Sequence, residues 1–273
     1  SSSSSSSASS PDGELNTLVR VGAGILTIGL VAVFIPSDLS ATAPVQQQTE
    51  LSPEVQQEVK KQAEVFEKTL EAAPETMTPE DMEKALKGAA ESYIVLENYK
   101  AAIPLLDRLL LLVPSVENAS NLAETCTAAE LPFKAAEIYR LAIEAEWSGP
   151  KPSPSLLKGL VDSLDKDGRY GLSLSYIKDF KAKGYADDVD AQLLEARVYS
   201  GWKGHGKDAE EAYQRVITAH GEDFRGYLAK GVFFREIGRP AEADSLFRQA
   251  KTLAPKEMAE VVSAVIQQAK SQN

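Results

Sequence analysis

From Glu83 onward the apolar positions recur at intervals of three and four, the period of a helix that buries one face. The run EIGRPAEADSLFRQAKTLAP, Glu236 to Pro255, shows it most plainly. Gly238-Arg239-Pro240 reads as a turn. Ala243, Phe247 and Ala250 then follow on one helical face, and Pro255 marks the end of the helix. A stripe that mixes Ala with Phe predicts a helix lying close against another, with the aromatic wedged beside the contact. The same order recurs upstream. Glu83–Pro114 carries Leu86, Ala90 and Tyr93, a turn at Asn98-Tyr99, then Ala102, Leu106, Leu109 and Pro114. Phe224–Pro255 carries Tyr227, Gly231 and Phe234 before its turn, and the two stretches align without gaps. Three looser units lie between. Leu122, Ala123 and Cys126 precede Ala135, Tyr139 and Ala142. Leu160, Val161 and Leu164 precede Gly168-Arg169-Tyr170, Ser173, Ile177 and Phe180. Ala196 and Tyr199 precede Ala209, Tyr213 and Val216, with one extra residue in the Gly201–Gly206 turn.

The array needs ends, and the flanks supply amphipathic helices. Ser52 reads as an N-cap with Pro53 first inside the helix, and Val55, Val59, Phe66 and Leu70 fall on one face. AAPETMTPED breaks that helix, and Thr78-Pro79 opens the next with Asp81 three residues on, in the manner of a capping box. Lys256–Lys270 predicts a closing helix with Met258, Val261, Val262 and Ile266 inward. Trp147–Ser155, WSGPKPSPS, reads as a lengthened surface connection.

The amino-terminal part differs. Residues 1–10 are serines apart from Ala8, a low-complexity stretch that will not fold and that suits the remnant of a chloroplast transit peptide. Leu15–Ile35, LNTLVRVGAGILTIGLVAVFI, has no charge after Arg20. As a helix it is about 31 Å long, enough for a bilayer core. A buried core helix is one reading, but a polar linker follows directly with no neighbouring helical face to bury it, so a membrane segment is expected over 15–36. A cleaved signal is the competing reading, since Ala41 and Ala43 fit the small-x-small rule, but Pro44 follows the cut. The expected organisation is therefore a Ser-rich leader over 1–14, the apolar helix over 15–36, a linker over 37–52, an amino-terminal cap over 53–82, repeats over 83–255 and a closing helix over 256–273.

Charge and chemistry narrow the function. The chain of 273 residues has 29 basic and 40 acidic side chains, a formal charge of −11. That argues against general nucleic-acid binding, which needs a basic face. Cys126 is the only cysteine, so neither an internal disulfide nor a cysteine-based zinc site can form. His205 sits in a turn and His220 beside Gly221, both suited to solvent. Asp165–Gly168, DKDG, fails as a calcium loop because Leu174 falls where the closing acid should be. VGAG at Val21 lacks the third glycine of a dinucleotide fingerprint, with Thr27 in its place. No nucleophile–base arrangement emerges, and neither an enzyme nor a cofactor is expected.

A period near 34, a small residue three before a large one, a turn, then Ala-x3-aromatic-x2-Ala and a closing proline resembles the tetratricopeptide repeat. The resemblance implies an all-α α-solenoid of about five hairpins plus caps, with one amino-terminal transmembrane or signal-anchor helix added. It implies a binding module that holds a protein segment in a groove lined by the first helices. The version that grips chaperone carboxyl termini needs cations and Asn that this chain lacks. Lys87 and Asn121 match, but Glu91, Ser155 and Gly159 stand where the other ligands belong, and a carboxylate needs those charge-assisted bonds. A groove over Leu193, Leu194, Arg197, Arg225, Leu228, Val232 and Arg235 is expected instead, for an amphipathic or hydrophobic segment, with packing of these leucines inside the repeats as the competing reading. The leader, the apolar segment, the acidic repeats and LSATAP together resemble the plant chloroplast repeat proteins related to SLOW GREEN 1. That resemblance implies a thylakoid-associated scaffold in chloroplast development, partnered by biogenesis or assembly proteins and attached to the membrane through 15–36. An assembly factor for a photosynthetic complex and a structural subunit of a larger complex remain alternatives.

Overall fold

The computed structural model describes residues 51–72, 77–147 and 153–271. The serine-rich leader, the apolar segment and most of the linker lie outside the described residues, as does the middle of the 147–155 connection. No described helix is long and apolar enough to cross a membrane.

The described residues form twelve α-helices and no strand. They are α1 (Pro53–Ala72), α2 (Pro79–Val95), α3 (Tyr99–Leu112), α4 (Val116–Ala128), α5 (Pro132–Trp147), α6 (Pro154–Lys166), α7 (Tyr170–Phe180), α8 (Val189–Gly201), α9 (Gly206–Ala219), α10 (Phe224–Glu236), α11 (Pro240–Leu253) and α12 (Ala259–Ser271). Two helices and a short turn make each of five hairpins: α2/α3, α4/α5, α6/α7, α8/α9 and α10/α11. The chain divides into two compact units at Asn118/Ala119.

Each hairpin turn contains one residue in the left-handed region. These are Glu97 (φ 55°), Glu130 (φ 60°), Gly168 (φ 72°), Gly204 (φ 93°) and Gly238 (φ 78°). In four turns the next amide donates back to a carbonyl five residues earlier: Asn98 to Tyr93 at 2.8 Å, Leu131 to Cys126 at 2.8 Å, Arg169 to Leu164 at 2.8 Å and Arg239 to Phe234 at 2.7 Å. This is the Schellman ending, which satisfies carbonyls a helix end leaves unpaired.

The first unit holds α1 to α3. Thr78 caps α2 as the sequence predicts: its hydroxyl oxygen accepts from the Asp81 amide at 3.1 Å and its hydroxyl donates to the Asp81 carboxylate at 2.7 Å. Val59, Ala63 and Leu70 of α1 are buried, with Phe66 half-buried. Val55, expected on that face, is exposed; the buried stripe begins one turn later, at Val59. The Phe66 ring lies where a Cβ on Gly88 of α2 would be, 2.5 Å away, so glycine is what lets α1 and α2 approach.

The second unit runs from α4 to α12, and its cores join hairpins in chain order. Leu157 and Val161 of α6, Ile177 and Phe180 of α7, and Ala191, Leu194 and Val198 of α8 form one cluster. Leu193 and Ala196 of α8 join the next, with Ala209, Tyr213, Leu228, Phe234, Ala243, Phe247 and Ala250. Val262, Val265 and Ile266 of α12 close it; Met258 and Val261 are only partly buried.

Candidate functional site

In the second unit the first helices of successive hairpins stand side by side, with α6 beside α8 and α8 beside α10. Along them runs an open groove of about 780 Å³. Ser120, Glu124 and Thr127 of α4, Lys158 and Asp162 of α6, and Arg197 and Ser200 of α8 line it, with Glu236 at the end of α10.

The lining carries charged side chains of both signs. Asp162 accepts from Lys158 at 2.7 Å and also pairs with Arg197. Asp165 accepts from the Ser173 hydroxyl at 2.7 Å. Burial raises the carboxyl pKa of Asp165, opposed by the Ser173 bond and by Arg197. Burial also raises Glu124, opposed by Lys158, and raises Glu236. Both glutamates remain open to water while protein surrounds them on several sides, as expected in a concave surface.

The groove forecast from sequence is differently made. Leu193, Leu194 and Leu228 are buried at 2%, 3% and 0% exposure, so they are not available to a partner. The reason is geometric. Helix α8 lies between two neighbours, and its adjacent leucines face opposite ways, Leu194 back toward α6 and α7 and Leu193 forward toward α9 and α10. Val232 packs partly buried against the forward core. The arginines bind within the chain. Arg225 donates to Asp190 at 2.8 Å and to Asp223 at 2.6 Å, and Arg235 donates to the backbone carbonyls of Ala269 at 3.4 Å and Lys270 at 3.1 Å. Arg197 alone of the forecast set lines the observed groove.

The repeat slots divide between core and edge. Ala90, Ala102, Ala135, Ala196, Ala209, Ala243 and Ala250 are fully buried, as are the larger Tyr139, Tyr213, Phe234 and Phe247 to within a few per cent. Tyr93, Ala142 and Tyr199 are half-buried, and Pro114 and Pro255 are exposed at helix ends. Gly231 admits the Phe247 ring, which a Cβ would meet at 2.6 Å. Among the clamp positions, Lys87 pairs with Glu117 at 3.6 Å, and burial raises the carboxyl pKa of Glu91. Ser155 and Gly159 line the groove.

Two features were not anticipated. Tyr139, a core slot in the repeat pattern, also lines the groove. Gly159 faces its ring, and a Cβ there would meet it at 2.3 Å. A glycine inside a helix costs about 1 kcal/mol relative to alanine, so Gly159 was the available sign of a close approach.

Comparison with solved structures finds similar chains. A MamA protein is 19% identical at a TM-score of 0.45, over 66% of this chain and 94% of its own. YrrB, described as a TPR protein with an unusual peptide-binding site, is 16% identical at 0.40, over 75% of this chain and 99% of its own. A putative kinesin light chain from Podosopora anserina with nearly identical TPR-like repeats is 16% identical at 0.46, over 65% and 97%. No protein-family model matches the chain, and no curated protein matches it.

Proposed function

We propose that the protein is a non-catalytic protein–protein interaction scaffold that holds a segment of a partner protein in the groove lined by α4, α6 and α8. The groove itself carries this reading: it is an open concavity of about 780 Å³ whose wall offers side-chain donors and acceptors that water can reach. We place this scaffold in the chloroplast, at the thylakoid membrane, attached through residues 15–36 and acting in chloroplast and thylakoid biogenesis. The serine-rich start, the charge-free apolar segment and the acidic repeats support that placement. Of the narrower roles, an assembly factor is favoured over a permanent structural subunit. Charged groups speed encounter and fix register more than they add affinity, which suits a partner that is released again, and this groove carries Glu124, Lys158, Asp162 and Arg197.

Crosslinking on intact chloroplast membranes tests the reading, with identification of the peptides joined to groove residues. Links from Lys158 or Lys166 to subunits or intermediates of one photosynthetic complex support the assembly-factor role. Links to translation, import or protease components support general biogenesis. Recovery of the protein without chloroplast partners would remove the placement and leave the scaffold reading to be tested by binding.

A further inference from the structure

Tyr139 belongs to a second helix, yet its hydroxyl reaches a groove made mostly by first helices. It does so because residue 159 has no side chain to block the ring. The residue is 4% exposed, and among the described residues no hydrogen bond reaches its hydroxyl. Covered by a partner segment, that hydroxyl would be left unpaired at a cost unless the segment bonded it. Nothing in the hairpin packing requires one there, since phenylalanine would fill the same ring space.

The surroundings select the group that would bond it. Burial first, then the Glu124 and Asp162 charges, hold the phenol in its neutral form. Asp162 is already bound by Lys158 and Arg197. Glu124 has no ion pair among the described residues; Lys158, the cation that acts on it, is held on Asp162. Glu124, Asp162, Asp165 and Glu236 set against Lys158, Lys166 and Arg197 leave the groove one negative charge in excess. An incoming carboxylate would meet repulsion. An apolar side chain would leave the hydroxyl unpaired. An ammonium or guanidinium group satisfies both the phenol oxygen and the Glu124 carboxylate.

We propose that Tyr139 and Glu124 form a subsite that takes a lysine or arginine side chain of the partner segment held in the groove. The assignment rests on the groove being the partner site. The test uses the full chain with Ser155→Cys labelled by a fluorophore; Ser155 is exposed on the groove wall and the native Cys126 is buried. Short peptide pools with randomised flanks and a fixed central Lys, Arg, Glu or Leu are titrated against it. The Lys and Arg pools are expected to bind about tenfold or more tightly than the Leu pool, the size of a charge-assisted bond. Tyr139→Phe and Glu124→Gln should each bring the Lys and Arg pools toward the Leu pool. Tyr139→Phe should do so without moving the unfolding midpoint, because the hydroxyl bonds nothing among the described residues and lies on the open groove. Leu or Glu pools that bind as well as Lys and Arg pools overturn the subsite and leave the groove reading standing. Silence from every pool overturns the groove reading and the subsite with it.

Discussion

Glu97 and Glu130 hold the left-handed conformation with a side chain attached, at turns where Gly168, Gly204 and Gly238 do the same without one. The Cβ clash in that region costs about 1–2 kcal/mol. Glycine removes it but adds freedom to the unfolded chain. Glu97→Gly and Glu130→Gly should therefore each raise the unfolding free energy by about 0.5–1 kcal/mol, and Gly238→Ala should lower it by about 1 kcal/mol. Chemical denaturation reads all three; earlier unfolding of both glycine variants would mean that the glutamates supply interactions worth more than the strain. Asp223 offers a pH test. Burial pushes its carboxyl upward, but bonds from the Arg225 side chain and amide outweigh that and hold it below the usual 3.8. A carboxyl lower in the folded state adds stability that is present above 3.8 and lost as pH falls through its folded value. The raised groove carboxyls act in the opposite sense, since protonation relieves their burial. The difference between wild type and Asp223→Asn isolates the one group. It should be destabilising near pH 6 and shrink progressively as pH falls below 3.8, to be checked by denaturation across that range.

Within an element, the spacing of small and large residues sets how closely two helices approach. Ala243 is wholly buried between α10 and α11, and Gly231 lets Phe247 lie against α10. Ala243→Leu should overpack the last hairpin and lower stability by about 1–3 kcal/mol, as thermal unfolding would show; an unchanged midpoint would mean the hairpin can open without loss. The hairpins were legible because they depend on local spacing: Thr78-Pro79, Gly168 and Gly238 mark helix ends directly. The turn at Asn98-Tyr99 follows from its place in the repeat, but nothing in the residue type of Glu97 or Glu130 announces a left-handed conformation. The site was less legible still. Periodicity assigns a residue to a face of its own helix, but α8 packs on both sides, so Leu193 and Leu194 could not be told from surface leucines. Tyr139 occupies a slot whose ordinary meaning is core, and only its pairing in space with Gly159, twenty positions away, brings its hydroxyl to the groove.

At the scale of the molecule, stability in the second unit comes from neighbour on neighbour. Helices α10 and α11 pack on each other and then on α12, and α6 to α8 form a core of their own. Such a stack has no central core to share a local loss, so damage at an end should stay near that end. Helix α12 is the test. It buries Val262, Val265, Ile266 and Ala269 against the last hairpin, and its carbonyls accept from Arg235. Each large aliphatic side chain contributes about 1.5–3 kcal/mol on full burial. Ending the chain before Ala259 should therefore destabilise the last hairpin by several kcal/mol and speed amide exchange in α10 and α11. Exchange in α6 and α7 should change far less, because their apolar contacts run to α8 and not to α12. Hydrogen exchange read helix by helix decides it. Equal acceleration from α4 to α11 would mean that the unit unfolds as one cooperative block, and that coupling through α8, which belongs to both cores, outweighs the independence of its ends.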